Sequence, residues 1–266
     1  MEFVMKRDQL VTKILSETNL LNRFLDYVKE DTQSVEDSET CPSSPKEKNL
    51  GRKLVEELKS LGLANAEMDE NGYVYAKMAT NCGITKKVAF IAHMDVALDC
   101  KGEGVCPVIH EKYDGSVINL KGGTVIDPAD TMHLSDCIGD TIITSDGTTL
   151  LGADDKAGVA AIMSMVEYLG KHPEIKHPEI RICFTPDEEI GRGVDKINLQ
   201  KVDADFAYTF DGGAPYEVNY ENFNAFSAKV TLRGVSIHPG YAKDKMVNAI
   251  RYAGKFIDML PKTMSP

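Results

Sequence analysis

The sequence predicts an α/β protein in which a mixed sheet is flanked by helices. Short apolar runs at 87–93, 180–184 and 206–210 have the length of strands rather than of helices. Amphipathic stretches with helical spacing lie between and around them, the alternation that builds a parallel or mixed sheet. Each run is also followed closely by His, Asp or Glu, as expected where strands open their carboxyl ends onto one crevice.

Taken in order, residues 9–30 read as a helix, with Leu10, Ile14, Leu20, Leu21, Phe24, Leu25 and Val28 on its apolar side. Residues 31–48 are a polar, Ser- and Pro-bearing loop. Residues 50–61 form a second amphipathic helix closed by Gly62. The Asn71-Gly72 pair marks a turn into a strand at 73–78. Beyond the strand at 87–93, residues 99–140 are Gly-rich and sparsely apolar, with short strands at best. Small strands at 141–144 and 149–151 flank the turn Ser145-Asp146-Gly147. A helix then starts at Asp154, with Val159, Ile162, Met163, Val166 and Leu169 on its apolar face, and ends near Gly170. The duplication His172-Pro173-Glu174-Ile175 and His177-Pro178-Glu179-Ile180 is a loop feature too short to mark a solenoid. Two buried-type strands follow at 180–184 and 206–210.

The pattern changes after Glu221. Residues 226–232 alternate like a half-exposed antiparallel strand, and 243–260 form an amphipathic helix built on Val247, Ile250, Ala253, Phe256, Ile257 and Leu260. One strand and one helix bury their apolar faces poorly. The chain is therefore expected to hold one large unit, residues 1–221, and the beginning of a smaller α+β domain at 222–266.

Composition narrows the function. A net charge of −11, with no extended Lys/Arg cluster, argues against nucleic acid as a partner. The six cysteines form no CxxC pair, which removes a zinc ribbon. Met1 to Glu30 has no signal-peptide core, and no apolar run approaches the roughly 20 residues of a bilayer span. A cytoplasmic protein with reduced thiols, not bound to membrane, is expected.

Four acid-bearing tips carry the chemistry. His93-Met94-Asp95 ends the first apolar run, and Asp95 is spaced to share a side with the His93 imidazole. A carboxylate behind a ligating His holds its tautomer and raises its basicity. Asp154-Asp155 stands at a helix start, where an acid either caps the helix or offers its oxygens to metal ions. Glu188-Glu189 follows Thr185-Pro186-Asp187, and Asp211 precedes Gly212-Gly213. Each cluster alone has a plain structural explanation: a polar strand end, an N-cap, an exposed acidic loop, a turn. Together they describe an oxygen-rich site with imidazole, suited to Zn, Mn or Co in a paired centre. One of the two glutamates is then free to act as general base.

The segments AHMD, SDGTTLLGADDKAG, FTPDEEIGRG, YTFDGG, YENFNAFSAKV and VSIHPG resemble the tripeptide aminopeptidases of the M20 metallopeptidase family, with similarity from about Phe24 onward. The resemblance implies a zinc-peptidase-like α/β catalytic domain interrupted by a smaller α+β lid. It implies two Zn ions: His93, Asp154 and Asp211 on one, with Asp154 bridging to a second that Glu189 also holds. Asp95 would orient His93, Glu188 would be the general base, and His238 on the lid would lie near the substrate carbonyl. The expected substrate is a short peptide, above all a tripeptide, and a homodimer is compatible with the family. The family's second zinc takes a further His near the C-terminus, and no His follows His238 here. The sequence is therefore expected to correspond to the N-terminal two-thirds or so of such a chain. The second ion is left with Asp154 and Glu189, short of a four-coordinate shell, and an uncovered sheet edge follows. Two alternatives stay open. One is another M20-type hydrolase (dipeptidase, carboxypeptidase or aminoacylase); the other is an inactive remnant lacking the last ligand. The glycines at 122–123 and 191–193 fit neither a P-loop nor a dinucleotide fingerprint.

Overall fold

The computed structural model describes residues 7–213, 217–222, 224, 226 and 228–264. Where one N-terminal helix is expected there are two, α1 (Arg7–Glu17) and α2 (Leu20–Tyr27). The break has a local cause. The Thr18 hydroxyl donates back to the Ile14 carbonyl at 2.7 Å, and the Asn19 N–H donates to Glu167 at 3.0 Å instead of extending a helix. Next come α3 (Glu47–Ser60), β1 (Glu67–Met68), β2 (Val74–Met78) and β3 (Lys87–His93). The Gly-rich stretch holds β4 (Val108–His110), β5 (Ile118–Asn119), β6 (Val125–Ile126) and β7 (Ile142–Thr144), paired as β4–β7 and β5–β6 over Tyr113, Ile118 and Leu134. The strand expected at 149–151 does not form. The unit finishes with α4 (Ala153–Lys171), β8 (Glu179–Thr185), α5 (Leu199–Val202) and β9 (Phe206–Thr209).

The main sheet has the order β1-β2-β8-β3-β9. β3 runs parallel to both β8 and β9, whereas β2 is antiparallel to β8, so the sheet is mixed as expected. The register places His93 opposite Thr185 and Ile91 opposite Thr209. The carboxyl ends of β3, β8 and β9 therefore finish along one edge. Alternation sends Val74, Ala76, Val88, Ala92, Ile180, Ile182 and Phe184 into a core shared with α2, α3 and α4. Tyr73, Tyr75, Ala89 and Cys183 line the opposite face with Val202 of α5.

One strand departs from its expected burial. All four residues of β9 are exposed, with Phe206 and Tyr208 each at 48%. The cause is topological: among the described residues β9 pairs only with β3, so an apolar run that reads as central is an edge. No helix among the described residues is long and apolar enough to cross a membrane.

Under α2, α3 and α4 sits a buried ionic knot. Arg23, 5% exposed, donates to Glu57 at 2.5 Å, to the Ser164 hydroxyl at 3.1 Å and to Glu167, while the Tyr27 hydroxyl donates to Glu57. These contacts satisfy a charge that three packed helices would otherwise exclude.

The chain divides into two units, Met1–Glu217 and Val218–Pro266. In the second, α6 (Ala249–Met259) is capped by Asn248, whose side chain accepts from Ile250 N–H at 3.0 Å and Arg251 N–H at 3.3 Å. The helix is shorter than the expected 243–260, because 243–247 forms a turn and a bridge from Val247 to Val235. No strand occurs over 226–232 among the described residues, where the pairing partner that an alternating strand needs is not found.

Removing the buried Arg23 leaves two half-buried acids, Glu57 and Glu167, without their shared partner. Arg23→Met is expected to lower the unfolding free energy by about 3–5 kcal/mol, read from urea melts followed by circular dichroism. Glu167 supplies the pH dependence. Burial alone would raise its pKa, but Lys171, the Asn19 N–H and Arg23 hold it down at about 2, below its ordinary 4.5. The stability this provides is complete above about pH 4.5 and is lost as pH falls through about 2. Glu167→Gln should flatten that acid limb, and an unchanged profile would refute the role of Glu167.

Candidate metal centre

The site is built around His93, the last residue of β3, which is 3% exposed. Its Nδ1 faces back onto Asp95, 3.3 Å from the carboxylate and 3.1 Å from the carbonyl oxygen. Its Nε2 looks the other way, into the acids. Asp95 is fully buried and accepts from Glu188 N–H and Glu189 N–H, each at 3.0 Å, and from the Ser34 hydroxyl at 2.5 Å. Burial opposes this charge, but His93, Ser34 and the Glu188 N–H outweigh it and hold Asp95 below the usual carboxylate range. One side chain thus fixes both the imidazole and the turn after β8.

That turn is the short 3₁₀ segment Glu188–Ile190, entered through Asp187 in the left-handed region, φ 58°. Asp187 is not an exposed loop acid. It is fully buried, and both of its carboxylate oxygens accept the Ser43 N–H at 2.9 Å. Its own N–H donates to Glu47 at 3.1 Å. Glu47 is also fully buried, and burial first, then Asp187 and Asp95, pushes its carboxyl up to about 9.

At the head of α4 the two aspartates divide the expected roles. Both depart from helical dihedrals. Asp155, 4% exposed, acts as the cap: one oxygen accepts Gly158 N–H at 3.2 Å, and the other accepts the His93 N–H at 3.2 Å. Asp154 is left open, its side chain 70% exposed, with one oxygen 2.8 Å from His93 Nε2. Asp211, just past β9, and Glu188 each place an oxygen 3.9 Å from the same nitrogen.

Two groups of donors result: His93 with Glu188 and Asp211, and His93 with Asp154 and Glu189, the atoms of each within 4.8 Å of one another. Burial, followed by the mutual repulsion of their charges, raises the carboxyls of Glu188, Glu189 and Asp211. Burial works against an imidazolium, yet Asp95, Asp155 and Asp154 outweigh it and push His93 up to about 10. Among the described residues, His93 is the only cationic partner within ion-pair reach of Asp154, Glu188 and Asp211. Imidazole nitrogen with several carboxylate oxygens is a donor set that fits Zn or a similar divalent ion, and such an ion offsets the crowded negative charge.

Every acid-bearing tip read from the sequence therefore meets at His93. His238 belongs to the other unit and is described by itself. It lies in the second unit, exposed, and its Nδ1 accepts Gly240 N–H at 3.2 Å within the Pro239–Tyr241 turn. Sequence reasoning missed Ser34, Ser43 and Glu47. A signal for Glu47 was present in Ser44-Pro45-Lys46-Glu47, the spacing of a capping box, and Glu47 does accept Ser44 N–H at 3.1 Å.

A mixed sheet whose acidic strand ends surround one imidazole is the frame of a candidate divalent-metal site. The fold is shared with an aminopeptidase PepT from Bacillus cereus (TM-score 0.57, 23% identity, 91% of this chain and 56% of that one). It is shared likewise with a tripeptidase from Staphylococcus aureus (TM-score 0.59, 24% identity, 92% and 57%). The M20 peptidase dimerisation domain matches residues 220–266. In sequence the chain is 51% identical over 252 residues to Peptidase T of Clostridium acetobutylicum and 50% identical over 253 residues to that of Bacillus subtilis, matching 93% of this chain in each case. The resemblance to the M20 family, and within it to peptidase T, is borne out. The chain spans 61% of the length of these curated relatives.

Asp95→Asn puts an amide nitrogen where a backbone N–H or the His93 ring now finds an oxygen. Zinc affinity of the chain, measured by competition with a chromophoric chelator, should fall about 10–100-fold. Unchanged affinity would show that Asp95 does not support the donor set.

Proposed function

We propose that this chain is the metal-binding part of a zinc-dependent aminopeptidase that releases the N-terminal residue of tripeptides. The convergence of Asp154, Glu188, Glu189 and Asp211 on His93 Nε2 carries this reading. The similarity to peptidase T supports the substrate class. His93, Asp154 and Asp211 would hold one ion, and Glu189 with Asp154 would be available to a second. When bound, such ions polarise a carbonyl and lower the pKa of water towards neutrality.

The rest is done by the protein. Asp95 holds the Nδ1 side of the His93 ring, so that Nε2 is the atom that would face an ion. Glu188 stands at the same cluster, 3.9 Å from His93 Nε2, with a carboxyl raised by burial and by the neighbouring acids, and is assigned the role of general base. It takes the proton of the attacking water and delivers it to the leaving amine. Residues 1–221 are assigned as the larger, catalytic unit and 222–266 as the first part of a lid, with His238 assigned to substrate binding. The match of 220–266 to a dimerisation domain supports a homodimer. Six free cysteines and the absence of a membrane-crossing helix among the described residues support a cytoplasmic location.

The test uses a gene product with the full length of the relatives. Glu188→Ala should leave zinc content intact and lower tripeptide turnover about 10²–10⁴-fold. Near-normal turnover would remove Glu188 from the role of base. Comparable rates on dipeptides or N-acylated amino acids would replace the tripeptide assignment with a different M20-type hydrolase.

A further inference from the structure

The turn that aims Glu188 and Glu189 offers three successive N–H groups, from residues 187, 188 and 189, and all three point into buried carboxylates. Asp95 takes the second and third. The first goes to Glu47 Oε2 at 3.1 Å. Glu47 is the first residue of α3, and its other oxygen accepts Ser44 N–H at 3.1 Å, with the Ser43 hydroxyl at 3.4 Å. A helix-capping role explains the bond to Ser44. It does not explain the bond to Asp187, nor the complete burial of a glutamate at a helix start, where capping acids ordinarily face solvent.

The surroundings point the same way. Asp187 holds the left-handed region without being glycine, a conformation that needs support from its neighbours. Glu47 accepts its N–H, Ser43 donates to its side chain, and the Arg192 N–H donates to its carbonyl at 2.9 Å. The Arg192 guanidinium then clasps the carbonyls of Ser38 at 2.7 Å and Thr40 at 2.9 Å, fastening the 31–46 loop over the turn.

We infer that Glu47 is a positioning residue for the metal centre: its carboxyl, bridging the start of α3 to the Asp187 N–H, sets the turn from which Glu188 and Glu189 reach the donor cluster. This rests on the metal-centre reading proposed above. Glu47 touches no ligand, and its effect passes through the backbone of 187–189.

The experiment compares Glu47→Gln with Leu54→Ala in the 266-residue chain. Glutamine keeps the volume but retains one acceptor where two are used. Leu54, also on α3 and fully buried, touches only the core, so its truncation reports loss of stability alone. Amide exchange by NMR should show residues 187–189 exchanging about tenfold faster in Glu47→Gln, out of step with α3. Leu54→Ala should leave them in step with the rest of the unit. With cobalt(II) as the probe, Glu47→Gln should bind about 10–100-fold more weakly, with an altered visible spectrum. If the exchange of 187–189 follows α3 in both variants, Glu47 is only a cap and the inference is overturned. Should Glu47→Gln not fold, Glu47→Asp, which shortens the reach, is read by the same two measurements. A parent chain that binds no cobalt overturns the metal centre itself, while the exchange comparison still decides the role of Glu47.

Discussion

The arrangement depends on one enclosed negative charge, the carboxylate of Asp95. An ionised group without solvent is tolerated only when donors surround it, and Asp95 draws its donors from three distant parts of the chain. Ser34 comes from the loop after α2, His93 from the end of β3, and two backbone N–H groups from the turn after β8. Satisfying that charge therefore forces three segments into register. The same bonds that make Asp95 tolerable orient the imidazole and present two glutamates beside it.

Repulsion is the counterpart of this order. Acids gathered on one nitrogen disfavour the fold unless something offsets them, and the sheet supplies the rigidity that keeps them together. β3, β8 and β9 are parallel, so their ends cannot separate without breaking ladder bonds. Below them α4 is locked to β3 through Asp155, which accepts one N–H from its own helix and one from His93. The acids that serve structure, Asp95, Asp155, Asp187 and Glu47, are enclosed, while Asp154 and Glu188 remain open to solvent at 70% and 51%. Burial separates the scaffold from the groups available to a ligand.

Much of this was legible in the residues. The runs at 87–93 and 180–184 announced strands because short, mostly apolar runs of seven and five residues are too brief for a helix, and both form within a residue or two of the expectation. Residues 206–210 announced a strand equally well but not its exposure, since apolar content reports preference for burial and not the presence of a neighbour. The convergence of His93, Asp154, Glu188, Glu189 and Asp211 followed from a general property of parallel sheets. Most of what stayed hidden depended on backbone donors from distant segments, whose acceptors the sequence does not name. Asp187 reads as one more acid in an acidic loop, and only the Ser43 N–H in front of it shows that it faces inward. The helix expected over 9–30 failed for a similar reason, because a distant glutamate competes for the Asn19 N–H.

Gly158 shows how finely the spacing is set. A β-carbon there would stand 2.2 Å from the carbonyl oxygen of Phe210 and 2.3 Å from an Asp155 oxygen. The residue immediately after Phe210 is Asp211, so the distance between the α4 head and the β9 tip is also the distance between two of the acids around His93. A missing methyl thus works as a gauge block. Any larger residue would prise the crevice apart by an atom's width, and the aperture of the site is governed from a position that carries no functional group of its own.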